Sequence, residues 1–212
     1  MKHRGVLTVV SGFSGVGKGT LMKELLSGYD NYALSVSMTT RKPRDGEVNG
    51  VHYFFVEKEE FEKTIAEDGL IEYAQYVENY YGTPRKFVED EISKGHNVIL
   101  EIEVQGAMRI KEQYPDAVLI FLTAPDARSL KSRLEGRGTE ETKVIAKRLK
   151  RAYEETEDMP FYDYLVVNDD LETCVEHVNA VIIAESFKTS NNKEYIEKTK
   201  NELLEIRKEI TL

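Results

Sequence analysis

Cysteine is almost absent: Cys174 is the single one in 212 residues. One thiol excludes an internal disulfide and suits a reducing compartment, so a cytoplasmic location is expected. Cys174 lies in a helical pattern, where a buried structural role is expected. No apolar run approaches the ~18 residues of a membrane-spanning helix, so no membrane partner is expected. The basic start Met1-Lys2-His3-Arg4 precedes an apolar run too short for a secretory signal. Positive charge is in deficit, with 29 Lys and Arg against 38 Asp and Glu and a net charge of −9. A general nucleic-acid binder shows a basic surplus, so that class is excluded as well. Histidine is scarce, and His3, His52, His96 and His177 are scattered without metal-ligand spacing. Internal repeats are lacking. The apolar fraction of 41% is enough for a core, and the length fits one domain or a core carrying inserted subdomains.

What is present is a glycine loop. The apolar run 6–10 leads into Gly12-Phe13-Ser14-Gly15-Val16-Gly17-Lys18-Gly19-Thr20, and a helical pattern begins there. Strand, glycine loop with one lysine, then helix is the context a phosphate cradle requires. Glycines adopt backbone angles closed to other residues, so successive N–H groups can converge on one anion. The helix N-terminus adds unpaired N–H groups and partial positive charge. Lys18 supplies a mobile full charge for the β- and γ-phosphates. The ligand class is a nucleoside triphosphate. The competing reading is a plain glycine-rich turn with a surface lysine.

Apolar runs at 6–10, 33–37, 97–102, 118–122 and 164–167 predict buried strands. Helical patterns at 20–26, 84–94, 105–113 and 127–134 lie between most of them. Such alternation predicts an α/β fold, a parallel sheet with helices on both faces. Two segments break the rhythm. Residues 38–83 are rich in Tyr, Thr, Gly and charge, with strand-like pieces at 51–56 and 71–77 and a helix-like piece at 58–67, so an inserted α+β subdomain is expected. Between Arg128 and Arg151 there are nine Lys or Arg against three Glu, in a chain acidic overall. That surplus reads either as a solvated basic helix or as a phosphate-facing lid. The chain therefore divides into core at 1–37, insertion at 38–95, core at 96–127, lid at 128–158, core at 159–188 and a terminal helix at 189–212. In that last helix Ile196, Thr199, Leu203, Ile206 and Ile210 recur at alternating three- and four-residue spacings. The stripe reads either as docking on the chain's own core or as a homodimer contact.

A second signature is Ser35-Val36-Ser37-Met38-Thr39-Thr40-Arg41-Lys42-Pro43-Arg44-Asp45-Gly46-Glu47. Arg41 and Arg44 flank a proline-stiffened turn, and their planar forks suit phosphate oxygens. Tyr53 and Tyr80-Tyr81-Gly82-Thr83-Pro84 follow, with phenolic hydroxyls that can donate to phosphate. Glu101 and Glu103 sit two apart at the carboxyl end of a predicted parallel strand, on one face. That is a good place for Mg²⁺ and its waters.

With these pieces in this order, the chain resembles the guanylate kinases from Val6 to about Ser186. The matching segments also include Val48-Asn49-Gly50-Val51-His52-Tyr53, Phe61, Ile71-Glu72-Tyr73-Ala74, Leu100–Gly106, Arg133-Leu134-Glu135-Gly136-Arg137-Gly138-Thr139-Glu140 and Val167-Asn168-Asp169-Asp170. The resemblance implies a P-loop core, a GMP-binding insertion and a helical lid. It implies ATP-dependent phosphorylation of GMP to GDP, with dGMP as a further acceptor and Mg²⁺ as cofactor. Arg41, Arg44, Tyr53 and Tyr81 would bind the GMP phosphate, and Ser37, Glu72, Thr83 and Glu103 would surround guanine. The loop Gly12–Thr20, with Asn168, would hold ATP. Lys18, Arg44, Arg133, Arg137 and Arg148 would neutralise charge during transfer, and Thr20 and Glu101 would support Mg²⁺ through water. Four positions depart from the patterns. Gly19 stands where the general P-loop has Ser or Thr, a trait of the monophosphate kinases. Phe13 replaces a frequent proline and is expected to pack beside the loop. Glu occupies positions 101 and 103, where Asp is common. The acceptor is a phosphate with a second pKa of ~6, so no general base is needed and the scarcity of histidine fits. Insertion and lid are expected to close over the two nucleotides, excluding water.

Overall fold

The computed structural model describes residues 4–76, 78–136 and 142–210. A parallel five-stranded sheet forms its centre, built from β1 (Leu7–Gly12), β2 (Tyr32–Leu34), β7 (Asn97–Glu101), β8 (Val118–Thr123) and β9 (Tyr164–Val167) in the order β2-β7-β1-β8-β9. Period-two alternation sorts their side chains onto two faces. Val10, Ile99, Ile120 and Leu122 join one core cluster, while Leu7, Val9, Val98, Leu100 and Leu119 join the other. Against the first face pack α1 (Lys18–Gly28), through Leu21, Met22 and Leu25, and α7 (Leu171–Ser186), through Cys174, Val178 and Ile182. Against the second pack α3 (Arg85–Lys94), through Val88 and Ile92, and α4 (Val104–Gln113), through Ala107 and Ile110. Both faces being covered explains why these strands read as continuous apolar runs. Cys174 is free and fully buried, and burial pushes its thiol up to about 11, so it stays an inert packing group as expected.

Local chemistry sets the helix ends. Asp126 caps α5 (Ala127–Glu135) by accepting from the Ser129 N–H at 2.8 Å, and Asp170 caps α7 from Thr173 N–H at 2.9 Å. Gly95 ends α3 in the left-handed region at φ 95°.

The insertion forms a second sheet, in the order β4-β3-β6-β5: β3 (Met38–Thr39), β4 (Phe54–Phe55), β5 (Leu70–Tyr76) and β6 (Asn79–Pro84). Helix α2 (Lys58–Ala66) covers it, and Phe61, fully buried, stacks on Tyr80 at 5.3 Å. The strand expected over 51–56 is reduced to β4. Residues 48–52 turn instead, with the Val51 and His52 N–H groups both bonded to the Val48 carbonyl and Gly50 at φ 77°. β3 and β6 were not expected as strands, because their Thr, Tyr and Gly residues carry little alternation.

The basic segment resolves into α5 and a second helix, α6 (Thr142–Glu155). The terminal stripe lies on α8 (Lys193–Ile210), and here docking on the chain's own core is overturned: no residue of this helix is buried. Among the described residues no helix is long and apolar enough to cross a membrane.

Candidate active site

The glycine loop leaves β1 at the carboxyl edge of the parallel sheet and enters α1. Two glycines are required by space as well as by angle. A Cβ on Gly12 would sit 2.1 Å from the Leu122 carbonyl oxygen, and Gly12 has φ 154°. Gly17, the residue before α1, has φ 98°, and its Cβ would meet the Asn168 amide nitrogen at 2.8 Å. The Lys18 ammonium arches back over the loop and donates to the carbonyls of Gly12 (2.8 Å) and Phe13 (3.3 Å). Ser14, Gly15 and Val16 form the crest. Gly19 and Thr20 follow in the first turn of α1, both exposed.

Phe13 behaves as expected. It is buried, and its ring meets Phe121 edge-on at 5.0 Å. Phe13→Ala leaves a void beside the loop and is expected to cost about 3 kcal/mol, lowering Tm by roughly 6–12 °C in a domain of this size. A thermal melt that moves by only a degree or two would contradict this packing role.

Asn168 and Arg133 buttress the loop from behind. The Asn168 side-chain amide donates to the Val16 carbonyl at 2.8 Å. The Arg133 guanidinium donates to the Asn168 carbonyl at 2.8 Å and to the Val16 carbonyl at 3.4 Å. One arginine of α5 thus reaches the same loop carbonyl as Asn168. Arg148 lies half-buried on α6. Arg137 lies outside the described residues.

Across the cleft the insertion presents two polar groups of different character. The first is buried. Glu72 on β5 faces Thr83 on the antiparallel neighbour β6, and the Thr83 hydroxyl donates to Glu72 Oε1 at 2.8 Å. Glu72 is only 7% exposed. Burial raises its carboxyl above the ordinary range, and the Thr83 bond and the nearby Arg109 oppose this. Arg109, on α4, donates to the Tyr73 carbonyl, which ties the core to this strand. Gly106 leaves room beside the carboxylate: a Cβ there would stand 3.2 Å from Glu72 Oε2. Ser37 lies just ahead of β3, half-buried, and its carbonyl accepts from Phe54 N–H at 2.9 Å.

The second group is cationic. Arg41 is gripped bidentately by Glu47, at 2.9 Å and 2.8 Å, and Glu47 also accepts from the Arg44 backbone N–H at 2.7 Å. The Arg41 guanidinium lies 5.4 Å from the centre of the Tyr53 ring, and Tyr53 meets Tyr81 edge-on at 6.0 Å. Arg44 itself is exposed. Glu47 belongs to the motif Ser35–Glu47, yet residue type alone assigns it no role. Its signal was its place three residues after Arg44, where a turn brings a carboxylate back onto the arginines.

Glu101 connects the two sides. It ends β7, opens onto the cleft, and is still walled by enough protein to raise its carboxyl. Lys18 opposes that rise and Glu103 adds to it. Glu101 also acts on the Tyr53 hydroxyl, whose pKa is raised chiefly by burial. Glu101 is therefore within electrostatic reach of Tyr53 on one side and of Lys18 on the other, which links the arginine–tyrosine cluster to the glycine loop. Glu103, one residue before α4, forms an ion pair with Arg151 of α6, and Arg151 also holds Glu155 at 2.9 Å. Sequence reading gave Arg151 no role, since nothing in a run of basic residues marks which one reaches the core.

A glycine loop with the geometry of a phosphate cradle, on a core whose insertion carries one buried carboxylate and one clamped arginine, is suited to bring two anionic ligands together. The family model for guanylate kinase matches residues 4–185. The chain is 52% identical over 186 residues to a guanylate kinase of Latilactobacillus sakei, covering 87% of this chain and 92% of that one. It is 45% identical over 202 residues to a guanylate kinase of Caldanaerobacter subterraneus, covering 95% and 98%. The crystal structure of guanylate kinase from Anaplasma phagocytophilum superposes with a TM-score of 0.72 at 35% identity, covering 89% of each chain. A match of this extent establishes that the chain belongs to the guanylate kinase family.

Proposed function

We propose that this chain transfers the γ-phosphoryl group of ATP to GMP, giving ADP and GDP. The observation that carries the reading is the buried Glu72–Thr83 pair in the insertion. Guanine offers two adjacent donors, N1–H and the 2-amino group, and one carboxylate accepts both. Adenine has no such edge, so AMP would leave a desolvated carboxylate unpaired, and discrimination of ~10⁴-fold is reachable that way. An acceptor series of GMP, dGMP, AMP, CMP and UMP with ATP tests it. Turnover is expected with GMP and dGMP, and no turnover with GMP would refute the assignment.

The GMP phosphate is received by Arg41, Arg44, Tyr53 and Tyr81, and the guanine by Ser37, Glu72 and Thr83. The attacking oxygen belongs to a phosphate already ionised near neutral pH, so the protein's work is positioning and charge neutralisation. Lys18 follows the charge on the β- and γ-oxygens, and Arg133 and Arg148 approach from the α5–α6 side. Glu103, paired with Arg151 of α6, completes the set around guanine. Mg²⁺ suits the donor set present: it takes one or two carboxylates, substrate phosphates and several waters, and Thr20 and Glu101 offer one hydroxyl and one carboxylate. When bound, it supplies charge neutralisation across the β- and γ-phosphates. We place the reaction in the cytoplasm, where free nucleotides and a free thiol are both at home.

Glu47 acts as a positioning residue for Arg41. Arg41, then the Arg44 backbone N–H, holds the Glu47 carboxyl down to about 2. Because its folded value is depressed, the clamp is present above the ordinary carboxylate range and is lost only as pH falls through that low value. Glu47→Gln is expected to raise KM for GMP about tenfold with little change in kcat or in KM for ATP. The mutant-to-wild-type ratio should stay flat between about pH 6 and 8. A ratio that shrinks toward one on mild acidification would show that the clamp is not the ionised pair.

A further inference from the structure

The matched family region ends at residue 185, and α8 lies wholly beyond it. Its direction is set by a short 3-10 turn, Thr189–Asn192, in which the Asn191 amide donates to the Glu185 carbonyl and the Asn192 amide to the Ser186 carbonyl, both at 2.8 Å. The first turn of α8 touches the core at a cavity of about 400 Å³, shared with Arg4, Leu7, Tyr114 and Ala117. Those residues mark the amino ends of the strands, the pole opposite the glycine loop. From there the helix projects with its apolar stripe open: Ile196 is 45% exposed, Leu203 61%, Ile206 51% and Ile210 80%.

We propose that this stripe pairs with α8 of a second copy of the chain, as a parallel, in-register, two-stranded coiled coil. The register carries the argument. Placing Ile196, Leu203 and Ile210 at heptad position a puts Thr199 and Ile206 at d, Lys200 and Arg207 at e, and Glu202 and Glu209 at g. In a parallel pair, g of one helix faces e five residues further along the other, so Glu202 meets Arg207 of the partner subunit. In an antiparallel pair, e faces e and g faces g, which sets cation against cation and carboxylate against carboxylate. The charges therefore select one orientation. In the single chain Glu202 forms an exposed pair with Lys198 at 3.6 Å, a contact worth little and readily exchanged.

The helix is 18 residues long, about 27 Å at ~1.5 Å per residue. Five layers, one of them Thr199, leave the interface at or below the ~1,200 Å² of stable complexes, so the dimer is weak and depends on concentration. The folded domain beneath fixes the start of the helix, which lowers the nucleation cost that makes short isolated helices marginal. Because its root lies at the pole opposite the glycine loop, pairing leaves that loop open.

Sedimentation of the full chain from micromolar to millimolar concentration tests this. Wild type is expected to move from the mass of one chain to that of two. Thr199→Leu, which replaces the polar d layer in both copies, should tighten the dimer by about tenfold or more. Leu203→Lys should abolish it, with kcat per chain and the dilute-solution melting temperature unchanged. Glu202→Lys should weaken it, and adding Arg207→Glu should restore it. A single chain at every concentration, a mass of three chains, or a dimer strengthened by Glu202→Lys alone would each overturn the proposal.

Discussion

Glu72→Gln is expected to lower kcat/KM for GMP by about 10³-fold while KM for ATP stays within a factor of about two. The carboxylate is one of few groups in the insertion that are both buried and ionisable, and only its charged form accepts from two donors at once. A glutamine keeps the acceptor toward Thr83 but turns an N–H group toward the guanine donors, leaving one of them unpaired and desolvated. The same substitution should act on stability in the opposite direction. Burial raises the Glu72 carboxyl in the folded state, so between its unfolded and folded values the native chain holds the extra proton. Stability from this site therefore falls as pH rises through that window, and at neutral pH the buried charge is a burden. Without nucleotides, Glu72→Gln should melt no lower than wild type at pH ~7 and lose part of its advantage on acidification. Steady-state kinetics with each substrate varied, together with melts across pH, reads both effects. Equal losses toward GMP and ATP would remove Glu72 from the guanine site.

Lys18→Met is expected to lower kcat by about 10³-fold or more, with GMP binding nearly intact. The side chains are of similar length and both can lie over the loop, so the change isolates the charge. In the present geometry the ammonium already rests on the carbonyls of Gly12 and Phe13, at the mouth of the loop. Methionine cannot donate there, and the developing charge on the transferred group loses its nearest full countercharge. The GMP contacts proposed above run through the insertion, where Arg41 pairs with Glu47 and Glu72 with Thr83. Single-turnover transfer and equilibrium GMP binding, measured on the same variant, separate the two. Parallel loss of both would mean that Lys18 holds the loop together instead of acting on phosphate.

Much of this was legible because the chemistry is local. The loop from Gly12 to Thr20 and the apolar strands of the parallel sheet announce themselves within a few residues. So does the helix before Gly95, since caps, periodicity and glycine angles are set by near neighbours. Strands β3 and β6 were not legible. β3 is only two residues long and β6 packs closely around Phe61, so the two-residue alternation that marks a half-buried strand is blurred. Arg151 was equally hidden, one of nine basic residues in a run, until the packing of α6 brought it to Glu103.

The amino-acid sequence by itself determined the phosphate cradle, the α/β core and the family, because each rests on residue types at short, set spacings. Only the tertiary structure decided how the charged groups are partnered. Glu47 holds Arg41, Asn168 and Arg133 brace Val16, and Arg151 takes Glu103, contacts that join positions from six to 152 residues apart. It also decided that the stripe on α8 faces outward. An amphipathic pattern records that one face of a helix avoids water, but what covers that face depends on where the rest of the chain ends up.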